Sequence, residues 1–251
     1  MNGATRPESF FVGWDVGGWN CDKNKDSRDA LVILDSALRI VGEPWRGNLR
    51  VSIAEAATTA DWLQTLFFLC AASPPDHPFR VTTAIDTPLG FSREFVGLVT
   101  DRKWIEPPAS SDTNPYLFRE TERRLFQRGW KPLSAIKDMI GSQATKGMHV
   151  LAKFAPVIES CGVWTDGGTW HAVETYPTAC RDSEKVKSLL SGRQVLKDAD
   201  RQDAMICALI AHLFASDRKT LEPPDDNVSH GEGWIWVPRQ STPSTAQRAS
   251  R

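Results

Sequence analysis

The stretch FFVGWDVGGW, residues 10–19, sets an acid, Asp15, inside an apolar run and follows it with Val16 and two glycines. A buried carboxylate without a partner costs several kcal/mol, roughly. Any fold that takes 9–19 as its first strand must therefore supply Asp15 with a turn, a basic group, a phosphate-bearing ligand or a metal ion.

The elements that follow can build one sheet. DALVILDSALRIVGEPW (29–45) carries two apolar runs split at Asp35-Ser36, the pattern of a hairpin. SIAEAATTADWLQTLFFLCAA (52–72) has helical periodicity, with Ser52 and Glu55 spaced as a capping box. After the break at SPPDHP, the run 79–91 reads as a strand ending at Thr87-Pro88. A helix between two strands suits a crossover onto a mixed sheet. Residues 92–160 read as a mainly helical insertion. The run 163–177 reads as a hairpin turned at Asp166-Gly167-Gly168, and 198–215 as a last helix. The expected organisation is one α/β domain over 9–237 and a disordered Ser/Thr/Arg/Gln-rich tail over 238–251.

Composition narrows the classes. With 251 residues and a formal net charge of -1, the chain can bury one sizeable core and does not carry a strongly basic nucleic-acid coat. Its five cysteines are scattered, without a CxxC pair, so reduced thiols and a cytoplasmic location are expected rather than a disulfide framework or a zinc knuckle. The longest apolar run, 63–72, is too short to span a bilayer, so no membrane residence is expected.

Four acids stand where acids are uncommon: Asp15 in the first strand, Asp86 at the end of VTTAID, Glu174 in HAVETYP, and Asp203 at the start of the last helix, with Asp200 three residues before it. Two carboxylates about 4 Å apart repel by roughly 4 kcal/mol at an effective dielectric of 20. A cluster must take up protons or bind a divalent cation, and an oxygen-only set suits Mg²⁺ or Mn²⁺. Two such ions can hold the attacking and leaving oxygens of a phosphodiester. Each acid also has a structural reading: Asp15 accepting from the Val16-Gly17-Gly18 turn, Asp86 capping the loop at Thr87-Pro88, Asp200 or Asp203 capping the last helix, Glu174 pairing with a base.

The succession FVGWDVGGW, TAIDTPLGF, FRETERRLFQRGW, VETYPTA, DRQDAMICALIAH and GEGWIWVP, in order over residues 11–237, resembles the domain of unknown function 429 family, predicted nucleases with an RNase H-like fold. The resemblance implies a five-stranded mixed sheet flanked by helices, with acids on the first strand, the fourth strand and a C-terminal helix. Carried onto this chain they are Asp15, Asp86 and Asp203, with Asp200 or Glu174 as a fourth. It implies a metal-dependent nuclease with Mg²⁺ or Mn²⁺, acting on DNA or RNA, and a possible homodimer. Arg119 and Arg123, inside the third motif, are the candidate phosphate contacts. Two rivals remain: an actin-like phosphotransferase holding phosphate at DVGG (15–18) or DGGT (166–169), and a non-catalytic module binding nucleic acid or protein.

Overall fold

The computed structural model describes residues 7–106 and 110–240. Residues 241–251, which make up most of the expected tail, lie outside the described residues. Among these residues seven strands form one mixed sheet: β1 (Glu8–Asp15), β2 (Asp29–Leu34), β3 (Trp45–Gly47), β4 (Phe79–Asp86), β5 (Val157–Ser160), β6 (Val163–Thr165) and β7 (Trp170–Glu174). Their order is β3-β2-β1-β4-β7-β6-β5. β1, β2 and β3 pair antiparallel, β4 lies parallel to β1, and β7 lies parallel to β4. The expected five strands are seven, because β6 pairs with β7 and β5 with β6, which extends the sheet by two strands.

Among the described residues, eight α-helices accompany the sheet: α1 (Arg50–Glu55), α2 (Thr59–Leu69), α3 (Arg93–Asp101), α4 (Glu120–Gln127), α5 (Gly141–Phe154), α6 (Pro177–Cys180), α7 (Glu184–Leu190) and α8 (Ala199–Ser216). The helix expected over 52–72 is two helices. Ser52 and Glu55 fall inside α1, and the capping box is formed instead by Thr58 and Asp61 at the start of α2. Asp61 accepts from the backbone N–H of both Ala57 and Thr58, which holds the chain out of helix between the two segments. The second strand of the first hairpin is also displaced. Residues 38–42 contribute only a bridge at Ile40, and β3 pairs with β2 further along the chain.

Strand alternation divides the core. Phe11, Ala84 and Val173 face one layer, where α8 lies; Phe10, Val12, Trp14 and Ile85 face the other, with residues of α2 and α5. α8 crosses directly over β1. A Cβ on Gly13 would sit 1.8 Å from the carbonyl oxygen of Ala204 and 2.4 Å from the nitrogen of Ala208. Glycine at 13 is thus the condition for α8 to lie against the sheet, and that contact brings the first turn of α8 to the end of β1. All five cysteines are free and buried. Among the described residues, no helix is long and apolar enough to cross a membrane.

Candidate functional site

Asp15 and Asp86 end β1 and β4 and are register partners on these adjacent parallel strands. Asp15 lies two residues beyond Gly13, so alternation sends it to the α8 face, and Asp86 lies beside it. Burial pushes both carboxyls well above the usual carboxylate range, and each further acid nearby adds to the rise: Asp86, Asp200, Asp203 and Asp29 for Asp15, and Asp203 and Glu174 for Asp86. The Arg181 guanidinium opposes this at Asp86 without reversing it. Burial also raises Asp203, against the attraction of Arg181, which donates to its Oδ1 at 2.9 Å.

Neither Asp200 nor Asp203 caps α8. Asp198 does, its side chain accepting from the backbone N–H of Arg201 at 3.0 Å. Asp200 accepts from Arg46 Nε at 2.6 Å and from the backbone N–H of Arg28 at 3.0 Å, which ties the helix start to β3 and the β2 entry. The first turn of α8 therefore adds one acid held by Arg46 and one held by Arg181.

Asp15 and Asp86 line a cavity of about 390 Å³. Its wall includes Thr87 and Tyr176, Ile140 and Gln143 from the start of α5, and Pro132 and Leu133. The Thr87 hydroxyl is buried without a hydrogen-bond partner. Among the described residues, no three His, Cys, Asp or Glu side chains close around one point as a finished metal cage. What the site offers is a pair of hard oxygen donors on one sheet edge, with no counter-charge in hydrogen-bond contact and further acids close by. Such a donor set fits a hard divalent cation better than a soft one.

Glu174 lines the same cavity but is engaged differently. Its register partner is Ile85, so alternation turns it away from the face that carries Asp86. Arg119 grips it with two bonds, Nη2 to Oε1 at 2.6 Å and Nη1 to Oε2 at 2.8 Å, and Oε2 also accepts from the backbone N–H of Leu89 at 2.9 Å. Arg119 is itself buried. Its Nε donates to Glu122 Oε1 at 3.0 Å, its Nη2 lies 2.9 Å from that oxygen, and its Nη1 donates to the Glu232 carbonyl at 2.9 Å. Every N–H of the guanidinium is used. Arg119 is therefore not offered to an external phosphate, contrary to the expectation for it. Arg123 is partly exposed and pairs with Glu120 at 2.7 Å, so its charge is already matched.

The turn after Asp15 is held by a pair that the sequence reading passed over. Asp29 accepts from Gly17 N–H at 2.9 Å, Trp14 Nε1 at 3.1 Å and Leu49 N–H at 2.7 Å, and it forms a buried ion pair with Lys146. Lys146 also donates to the carbonyls of Gly17 and Gly18 and to Asn48 Oδ1 at 3.1 Å. The structural role weighed for Asp15, accepting from this turn, thus belongs to Asp29. The DVGG turn is closed by these groups, and Asp166 closes the DGGT turn by accepting from Gly168 and Trp170 N–H. Asp29 had a signal related to that of Asp15, an acid at one end of an apolar strand. Lys146 had another: it stands four residues before Val150 and eight before Phe154, on the apolar stripe of α5.

No family model matches the chain, and neither a curated protein nor a solved structure matches it.

Proposed function

We propose that the chain is a divalent-metal-dependent hydrolase of phosphodiester bonds in nucleic acid, built on an RNase H-like core formed by β3-β2-β1-β4-β7 and α8. One observation carries the reading: Asp15 and Asp86 lie side by side at the ends of parallel strands, both raised by burial and by neighbouring acids, with no basic side chain in hydrogen-bond contact among the described residues. A fold does not bury like charges in this way for stability, and perturbed acids lining a cavity are a mark of chemistry. The reading is supported by the placement of the acids on the first strand, the fourth strand and the last long helix.

Asp15 and Asp86 would hold the ion, and Asp203, whose charge acts on both carboxyls, would join them only if Arg181 released it. A bound Mg²⁺ or Mn²⁺ supplies Lewis acidity toward a phosphoryl oxygen. The protein's own part is positional. Gly13 lets α8 bring its acids to the strand ends, the Asp29–Lys146 pair fixes the turn that aims Asp15, and Arg119 fixes Glu174 and the Leu89 loop beneath the cavity. With its donors committed, Arg119 is a scaffold for the site rather than a phosphate ligand.

The test is a panel of labelled DNA and RNA, single- and double-stranded, incubated with Mg²⁺ and with Mn²⁺. Cleavage by the wild type and its loss in Asp15→Asn and Asp86→Asn, both still folded, is the expected result. Cleavage by the variants at the wild-type rate would remove the acids from the mechanism.

A further inference from the structure

The acid cavity does not end at its own walls. Pro132 and Leu133 also line a second cavity of about 480 Å³, so the two spaces share one partition. The second has a different chemistry. Phe126 and Trp130, both half-buried, supply its aromatic surface, with Phe118 buried behind them, and Lys131 and Lys137 stand on it. The Phe118 and Phe126 rings meet edge to face at 4.8 Å, which holds Phe126 in place. Lys137 is matched by Asp138 at 3.2 Å, whereas Lys131 is exposed and forms no ion pair among the described residues. Asp112 lies on the same lining, so the space is not a basic trough for a duplex backbone. It is an aromatic recess with one free cation beside it.

We infer that this recess is a subsite for the unpaired base of the nucleotide next to the cleaved link, with Lys131 meeting the phosphate on that side, so that the substrate is single-stranded or frayed at this position. The inference rests on the hydrolase reading of the acids beside it. Aromatic faces receive a base of any identity by stacking, and a base can enter a walled recess only when it has left its duplex. Through the shared wall at Pro132 and Leu133, the aromatic recess and Lys131 adjoin the cavity that holds the acid pair. A nucleotide chain presents that alternation of flat ring and anion.

The experiment measures binding by fluorescence anisotropy. The full chain is titrated with fluorescein-labelled 12-mers of single-stranded DNA, single-stranded RNA and duplex DNA, with Ca²⁺ in place of Mg²⁺. Lys131→Glu is the main variant, because the side chain is exposed. Trp130→Ala is the second, with its melting temperature recorded because Trp130 also packs on the core. The expected result is a single strand bound more tightly than the duplex, and binding weakened about tenfold by either variant. Hydrolysis of bis(p-nitrophenyl) phosphate by the wild type, a small diester that needs only the acid cavity, is recorded alongside.

Equal binding of duplex and single strand, no binding of any strand, or binding indifferent to both variants would each overturn the subsite. If bis(p-nitrophenyl) phosphate is still cut in those cases, the hydrolase reading stands without it. If the strand binds through Lys131 and Trp130 but no diester is cut, the hydrolase reading falls and the recess remains a binding site.

Discussion

Two groups of acids sit within one region of this molecule and are treated in opposite ways. Around Arg119, the carboxylates of Glu174 and Glu122 are buried, but every oxygen meets a donor. Glu232, from the chain that follows α8, joins them by accepting from the backbone N–H of Arg93 and Glu120. At the ends of β1 and β4, Asp15 and Asp86 are surrounded by other acids and left without such partners. The first arrangement closes a network. The second stores repulsion, which only protons or a cation can relieve. Position in the sequence does not separate the two, since Glu174 and Asp86 end neighbouring parallel strands. The difference lies in strand parity and in a single arginine.

The largest expected effect comes from breaking the closed group. Arg119→Met should cost about 3–5 kcal/mol in urea unfolding, because it leaves buried carboxylates without their counter-charge. A loss below 1 kcal/mol, roughly, would show that the network is not what holds α4 and the Leu89 loop to the sheet.

Gly13→Ala strikes the geometry that creates the open group. The new methyl meets the backbone of α8, which cannot rotate away. A loss of about 1–3 kcal/mol is expected, with the α8 acids displaced from Asp15. Heteronuclear NMR should show shifts along α8 in the folded variant. Wild-type shifts there would contradict the close approach.

A smaller effect distinguishes the capping acid from its neighbours. Asp198→Ala should cost about 1 kcal/mol, as expected for a lost N-cap, whereas Asp203→Asn should cost less. Equal losses would place the cap wrongly.

The two kinds of acid also differ in sign with pH. Asp15, Asp86 and Asp203 hold their protons longer in the folded state than in the unfolded one. Their contribution therefore falls as pH rises from the ordinary carboxylate range through their raised values. Asp198 is the reverse: burial opposes its ionisation, but the Arg201 backbone N–H and side chain outweigh that and hold its carboxyl below the usual range. Its contribution is present above the unfolded value and lost as pH falls through the folded one. Metal-free Asp86→Asn should thus melt higher than wild type near neutral pH, with the gain vanishing in acid. A variant that melts lower at every pH would mean that Asp86 is paired.

Much of the sheet was legible in the sequence because apolar runs and their breakers are local signals. The strand ending at Asp86, the turn at Asp166-Gly167-Gly168 and the helix over 198–215 lie where the pattern puts them. The split between α1 and α2 was not, since the spacing of Ser52 and Glu55 satisfies the same capping rule as that of Thr58 and Asp61, and periodicity runs through both. The position of Asp15 and Asp86 on one edge follows from parallel pairing in register, which no local pattern specifies. The engagement of Glu174 was hidden for a related reason. Arg119 lies 55 residues away from it in the chain, and a motif rich in Arg and Glu reads equally well as a surface. Asp29 and Lys146 each broke an apolar pattern, and that signal was present.

The most direct measurement is the melting temperature of the metal-free protein near neutral pH, titrated with Mn²⁺, for wild type and for Asp15→Asn/Asp86→Asn. An open acid pair predicts a wild type stabilised by about 2.7 kcal/mol at a hundredfold excess over its dissociation constant, and a double variant, already more stable without metal, that gains nothing. Equal responses of the two proteins, or a double variant that is less stable at the outset, would contradict the account.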